Sequence, residues 1–321
     1  MSDSAPKKGI SFAAAANAKG YLDIYIRQKY EFGFYTGMSA YGFASVPKTF
    51  FDVVADISKG KIPGGTAKEK LSANLLACTD IGAFYGMSIK AFKFRVNASY
   101  YMPLFYLDPD IGSYTLDNNS AAAKLHIRAY TPINLDNASG IVGNVLKRGG
   151  VDIDFIGSYA FNPYVNLQFS VLHIPIVPAV MNKGISIVAG IDTENHVLDF
   201  TGPDYSDLPP KKVFRPLKIN TGLDVYPFAN NYLIISPSIG FHCLSPFYVD
   251  AGLKLESRFL KVLGVYYAMA REDRIWKNRV GFFIDTRIIR LETFASSAGT
   301  TFVSAFKLRG AEAGIKLVFG Y

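Results

Sequence analysis

The sequence predicts an all-β fold: an antiparallel sheet of about 12–14 strands closed into a transmembrane β-barrel, with one short inserted helix. Three observations lead there. Half of the 321 residues are apolar and 14% are aromatic, with 20 Tyr and 25 Phe, yet only 19% are charged. Tyr and Phe at that density suit strands and membrane interfaces. No stretch reaches the roughly 18 consecutive apolar residues of a membrane helix; the best, Phe169 to Met181, carries His173, Pro175 and Pro178. Segments of about ten residues alternate apolar with polar side chains, the length of a tilted spanning strand rather than of a soluble one. A closed barrel is the other way across a bilayer, because it satisfies every backbone group without water.

Residues 1–20 form an N-terminal segment. Lys7-Lys8, the short stretch Ile10 to Ala16 and the triplet Ala16-Asn17-Ala18 imitate a secretory signal, but the apolar part is short and Asp3 intrudes, so the segment is read as something other than a signal. Strands follow at Tyr21 to Gln28 and Tyr30 to Ala40. A helix is expected over residues 46–60. Ser45 can cap it, Pro47 sits in its first turn, and Phe50, Val53, Val54 and Ile57 share a face before Gly60 ends it. Such a helix is a plug inside the barrel or an element packed on its rim. Thr66 to Ala77 also has helical composition, and Asp80 to Ile89 returns to strand.

From Ala91 onward the alternation repeats. Phe92, Phe94, Val96 and Tyr100 oppose Lys93, Arg95, Asn97 and Ser99. The same design recurs around Leu125, Ile153, Leu167, Ile219 and Leu255, and further strands are read at Tyr232 to Phe241, Leu263 to Ala270 and Arg279 to Ile289. Asp108-Pro109-Asp110, Asp117-Asn118-Asn119-Ser120, Arg148-Gly149-Gly150 and Gly202-Pro203-Asp204 read as turns. Asp192 to Lys212 reads as a long loop able to hold a partner. With no linker and no repeat, residues 1–321 form a single domain.

The polar faces define the lumen, where charge can stay wet. Its candidate lining is Lys93, Arg95, Lys124, His126, Arg128, Asp152, Asp154, Lys218, Asp224, Lys254, Glu256, Arg258, Asp285 and Arg287. With Lys316 and Glu312, that is about nine basic against six acidic groups. Two readings follow: a channel that mildly favours anions, or a narrow barrel plugged by cross-lumen ion pairs.

The chain ends Ala313-Gly314-Ile315-Lys316-Leu317-Val318-Phe319-Gly320-Tyr321. Ala313, Ile315, Leu317, Phe319 and Tyr321 fall at alternate positions and finish on an aromatic residue, and here the chain resembles bacterial outer-membrane β-barrels. The resemblance implies a last strand recognised by the barrel-assembly machinery, whose capture works by edge pairing. Glu312, Gly314, Leu317 and Phe319 also resemble the sorting signal of mitochondrial porins and import channels. Tyr- and Phe-rich strands around an inserted segment near Pro47 are similar in texture to spirochaetal outer-membrane proteins.

Other chemistry finds little footing. Cys78 and Cys243 lack CxxC spacing. His126, His173, His196 and His242 show no HExxH or i, i+4 pairing, so no metal is expected. Neither a GxSxG elbow nor a GxxxxGK[ST] loop occurs, and no enzyme activity or cofactor is expected. The net charge of +8 is spread singly along strands, which speaks against nucleic acid as a partner. The expected partners are the lipid bilayer, the assembly machinery and small solutes. The function expected is a pore or transporter for small solutes in the bacterial outer membrane, with a mitochondrial porin or import-type barrel as rival. A closed, surface-interaction (adhesin-like) barrel is the second class, and a soluble sandwich extracted without detergent the third.

Overall fold

A computed structural model describes residues 10–27, 29–46, 67–108, 110–117, 120–132, 146–192, 197–228, 232–243, 247–259, 262–272, 275–286, 289–299, 301–307 and 310–319. Seventeen strands form one antiparallel sheet. They are β1 (Ile10–Ile26), β2 (Tyr30–Val46), β3 (Ala67–Ile89), β4 (Phe92–Leu107), β5 (Asp110–Asp117), β6 (Ser120–Tyr130), β7 (Gly150–Asn162), β8 (Val165–Val177) and β9 (Ala179–Asp192). Then come β10 (Val197–Val213), β11 (Lys218–Val225), β12 (Leu233–His242), β13 (Tyr248–Phe259), β14 (Leu263–Glu272), β15 (Ile275–Asp285), β16 (Ile289–Gly299) and β17 (Gly310–Phe319). A four-residue helix, α1 (Phe302–Ala305), sits between the last two and is capped by Thr301, whose hydroxyl accepts from the Ser304 N–H. Among the described residues no helix is long and apolar enough to cross a membrane.

Seventeen strands exceed the 12–14 expected, and the ladders give the reason. β3 pairs along one edge with β4 and then with β5. β4 and β5 pair with β7 and β6; β7 and β6 pair with β8 and β9; β8 and β9 pair with β11 and β10. Thus β4–β5, β6–β7, β8–β9 and β10–β11 are four long runs, each interrupted once. Counted as runs, the sheet is an up-and-down meander of thirteen, every run antiparallel to the next, from β1 to β17. Pro178 stands at one interruption and Pro216, in the segment 214–217, at another, where the missing N–H removes a ladder bond. The β6–β7 run is interrupted between Tyr130, the last residue of β6, and Gly150, the first of β7.

Where the runs break, side chains fill the gap. Leu76, Cys78, Tyr101, Tyr130, Ala179, Met181, Leu208 and Val213 form a buried cluster. The Tyr101 hydroxyl donates to the Val213 carbonyl (2.9 Å) and accepts from the Ala179 N–H (3.3 Å), satisfying two backbone groups freed by the breaks.

Three expectations need correction. Thr66 to Ala77 is not helical: Ala67–Ala77 belongs to β3, because pairing with β5 and β4 outweighs the helical leaning of Ala, Lys, Glu and Leu. Of the loop expected over Asp192 to Lys212, the part from Val197 onward is strand: Val197–Val213 is β10, and its prolines sit where the register against β9 slips, between Thr201 and Asp204 and between Asp207 and Lys211. The first slip also converts the expected Gly202-Pro203-Asp204 turn into a bulge, with Gly202 at φ 112°. Of the helix expected over 46–60, Val46 ends β2 and the cap candidate Ser45 pairs with Ser72. Phe50, Val53, Val54 and Ile57 lie outside the described residues. Ile10 to Gly20, within the expected N-terminal segment, pairs with β2 as part of β1.

The sheet has two unlike faces. Leu22, Phe34, Ile81, Ile219, Leu255, Val265 and Phe282 stand exposed on one. Val280 is 61% and Ile315 77% exposed there. Phe92, Phe94, Phe155 and Phe169 stack as a cluster on the same face, with centroids 5.7–6.4 Å apart. The other face holds the charges and is the more buried, with Asp152 at 1% and Asp80 at 2%.

Candidate functional site: the charged face of the sheet

Glycine lets rings lie flat on this polar face. A Cβ on Gly82 would meet the Tyr35 ring at 2.4 Å, one on Gly264 the Phe283 ring at 2.1 Å, and one on Gly281 the Tyr266 ring at 2.3 Å. Each aromatic thus covers a glycine of the adjacent strand. Rings on this face carry cations above them: Arg95 lies 3.5 Å from the Phe84 centroid, Lys254 4.7 Å from Tyr266, and Arg290 4.6 Å from Phe283.

Two charged networks result. The first is centred on Arg215, in the segment between β10 and β11. Its Nε donates to Asp152 (2.6 Å), its Nη1 to Asp80 (2.7 Å), and its Nη2 to Asp152 and Ser99. Ser99 also donates to Asp152. One guanidinium therefore ties β3, β4 and β7 to the β10–β11 segment. Beside it Asp154 accepts from the Asn97 amide (3.2 Å) and from the His173 N–H (2.7 Å), and Arg95 donates to Glu31 (3.1 Å). His173 has φ 60° in the irregular pairing of β8 with β7, a conformation that costs energy for a side chain with a Cβ. Asp152, Asp154 and His173 bring three potential ligand atoms within 4.8 Å of one another.

The second network is a charge ladder across β13, β15 and β16. Glu256 accepts from Lys254 (2.6 Å) and Arg258 (3.0 Å); Arg258 reaches Asp285 (3.3 Å); Arg290 lies 3.7 Å from both Asp285 and Glu292. At the end of β12, His242 Nε2 lies 2.6 Å from Asp250 and its ring stacks on Tyr248 at 3.9 Å.

Lys29, Glu31, Lys93, Arg95, Gln168 and Asn220 help line a cavity of about 460 Å³ on this face, beside the β1–β2 turn. Three of them are cations and one is a carboxylate. Among the described residues Lys93 and Lys218 have no ion pair.

The expected residues are distributed as follows. Lys254, Glu256, Arg258 and Asp285 come together in the ladder, and Asp152 and Asp154 join the Arg215 network. Arg95 pairs with Glu31, while Asp224 accepts from Ser236 (2.7 Å) and Gln168. His126 and Arg128 contact one another (3.1 Å) on β6, beyond the interruption of their run, and Lys124 pairs there with Gly190. Arg287 and Tyr321 lie outside the described residues. Ala313 and Ile315 are exposed on the apolar side; Leu317 and Phe319 pair with Leu291 and Ile289.

Arg215, Asp80, His173, Glu31, Arg290 and Glu292 were not read from the sequence as site residues. Asp80 follows Leu76 and Cys78 at a spacing of two, a usable signal; Arg215, between Phe214 and Pro216, carries none. No family model, curated protein or solved structure matches the chain.

Proposed function

We propose that this chain is a membrane-spanning β-barrel whose polar face lines a narrow pore for small solutes. The observation that carries the reading is the inverted sheet: large apolar side chains stand exposed along strand after strand, while carboxylates and guanidinia of the opposite face are buried. In water such a surface is an association hazard; in a bilayer it is the lipid-facing band of a barrel. The excess of Lys29, Lys93 and Arg95 over Glu31 around the 460 Å³ cavity supports mild anion preference. The location proposed is an outer membrane.

Two observations favour particular alternatives. The Arg215 network and the apolar cluster beside it occupy the polar face at the level of the breaks, which favours a barrel constricted or closed there. With thirteen runs among the described residues, β1 and β17 point the same way, so direct closure would make them parallel neighbours. Odd counts are a mitochondrial feature, whereas bacterial single-chain barrels are even, and this favours the mitochondrial-type rival.

The test is conductance of detergent-extracted protein in planar bilayers under a salt gradient. Stable steps with mild anion preference are expected. A protein that inserts and never conducts means a closed barrel, and one that stays soluble without detergent overturns the membrane reading.

A further inference from the structure

We propose that Asp152, Asp154 and His173 form a binding site for a divalent transition-metal ion of the zinc type, a role separate from passage of solutes and independent of whether the pore is open.

The spacing is the first argument. His173 Nδ1 lies 3.4 Å from Asp154 Oδ1 and 3.7 Å from Asp152 Oδ2. The nitrogen is buried and has no hydrogen-bond partner. With metal–ligand bonds of about 2.0–2.2 Å, a tetrahedral ion separates its ligand atoms by ~3.3–3.6 Å. The two distances from the nitrogen lie at or just above that separation, and the three ligand atoms all fall within 4.8 Å of one another, close enough for small side-chain shifts to bring them onto one ion.

The surroundings supply the second argument. A ligating carboxylate needs an outer partner to fix it, and both have one. Arg215 and Ser99 hold Asp152; Asn97 holds Asp154 through Oδ2, and the His173 N–H binds Oδ1. The two oxygens nearest His173 Nδ1, Asp152 Oδ2 and Asp154 Oδ1, each accept a single bond, from Arg215 Nε and the His173 N–H, so each keeps one lone pair for an ion. The bulge that places His173 at positive φ brings its backbone and ring to the same carboxylate.

Charge is the third. Among the described residues Arg215 is the guanidinium in contact with Asp80 and Asp152, Asp154 lies beside it with no guanidinium contact, and Asp80 Oδ1, almost fully buried, has no partner. Buried charge is expensive unless neutralised, and a divalent cation would offset the excess of carboxylate. The His173 side chain as a whole stays 18% exposed, so the cluster lies near the surface of the polar face.

The experiment is metal uptake by the full chain folded in detergent micelles, with Zn²⁺ alone as probe. Equilibrium dialysis and elemental analysis give the stoichiometry, and Co²⁺ substitution reports geometry through its visible spectrum. About one ion per chain is expected, with an intense tetrahedral-type Co²⁺ band. Affinity should fall at least ~10-fold in His173→Gln and Asp154→Asn, and stay unchanged in His242→Gln, which alters the other buried His–Asp pair. Strand content by circular dichroism checks that the variants fold; if one does not, wild-type stoichiometry with the Co²⁺ spectrum decides. Substoichiometric uptake by the folded wild type, uptake that persists in both site variants, or equal loss in His242→Gln overturns the proposal and identifies the cluster as an ion-pair centre. None of these outcomes depends on conductance.

Discussion

Replacing Arg215 with Met removes the one guanidinium that meets Asp80 and Asp152, whose side chains are 2% and 1% exposed. Taking one partner from a buried pair costs about 3–5 kcal/mol, because the remaining charge is left without compensation. Here two carboxylates are stranded and Ser99 loses a donor, so the upper half of that range, about 4–5 kcal/mol, is expected. Removing all three charges together, as Arg215→Met with Asp80→Asn and Asp152→Asn, strands nothing charged and should recover about 2 kcal/mol or more. The assay is equilibrium unfolding by urea in micelles or vesicles, read by circular dichroism, with all variants in one lipid. A single-variant cost below about 1 kcal/mol, or a triple variant as unstable as the single one, would refute the assignment of Arg215 as a buried counter-charge.

Other outcomes follow from the same structure. Val280→Arg, on the apolar face in the middle of β15, should cost about 2–4 kcal/mol in bilayers; a water-facing position would absorb the same change with less than ~0.5 kcal/mol, so urea unfolding in vesicles separates the two. Gly264→Ala puts a Cβ 2.1 Å from the buried Phe283 ring and should destabilise by about 1–3 kcal/mol in the same assay. Glu256→Gln unbalances the ladder by one positive charge between Lys254 and Arg258, so the reversal potential under a salt gradient should move toward stronger anion preference. If the sheet closes, a cysteine at Leu22 of β1 crosslinks to a cysteine scanned along β17 at one register; an open sheet gives no preferred position.

Much of the sheet was legible because alternation survives wherever one face differs from the other. Lys254, Glu256 and Arg258 could be placed on one side of a strand from spacing alone, and they share one network. Local composition misled where tertiary pairing decides. Lys68, Glu69, Lys70 and Leu71 favour helix in isolation, yet β5 supplies a ladder that the backbone takes instead. The prolines of β10 suggested a loop, because the sequence does not reveal that they fall at register slips, where no N–H is needed. Pro178 and Pro216 mark breaks in two of the long runs, but nothing local says that the two halves keep neighbours in common. Arg215 was invisible for a related reason: it lies outside any periodic segment, and its partners come from three strands more than 60 residues away. His173 owes its place to a bulge and a positive φ, neither of which its neighbours announce.

In the proposed barrel the apolar face meets lipid and the polar face does not. In a background with Cys243 replaced by Ser, a fluorophore is attached to single cysteines at Val280 and Leu255 on the apolar face and at Gln168 and Ser238 on the polar face. Quenching by bromine-labelled lipids in vesicles is then measured at each position. Strong quenching at Val280 and Leu255 with little at Gln168 and Ser238 is expected; equal quenching on both faces, or none on either, overturns the membrane-spanning barrel.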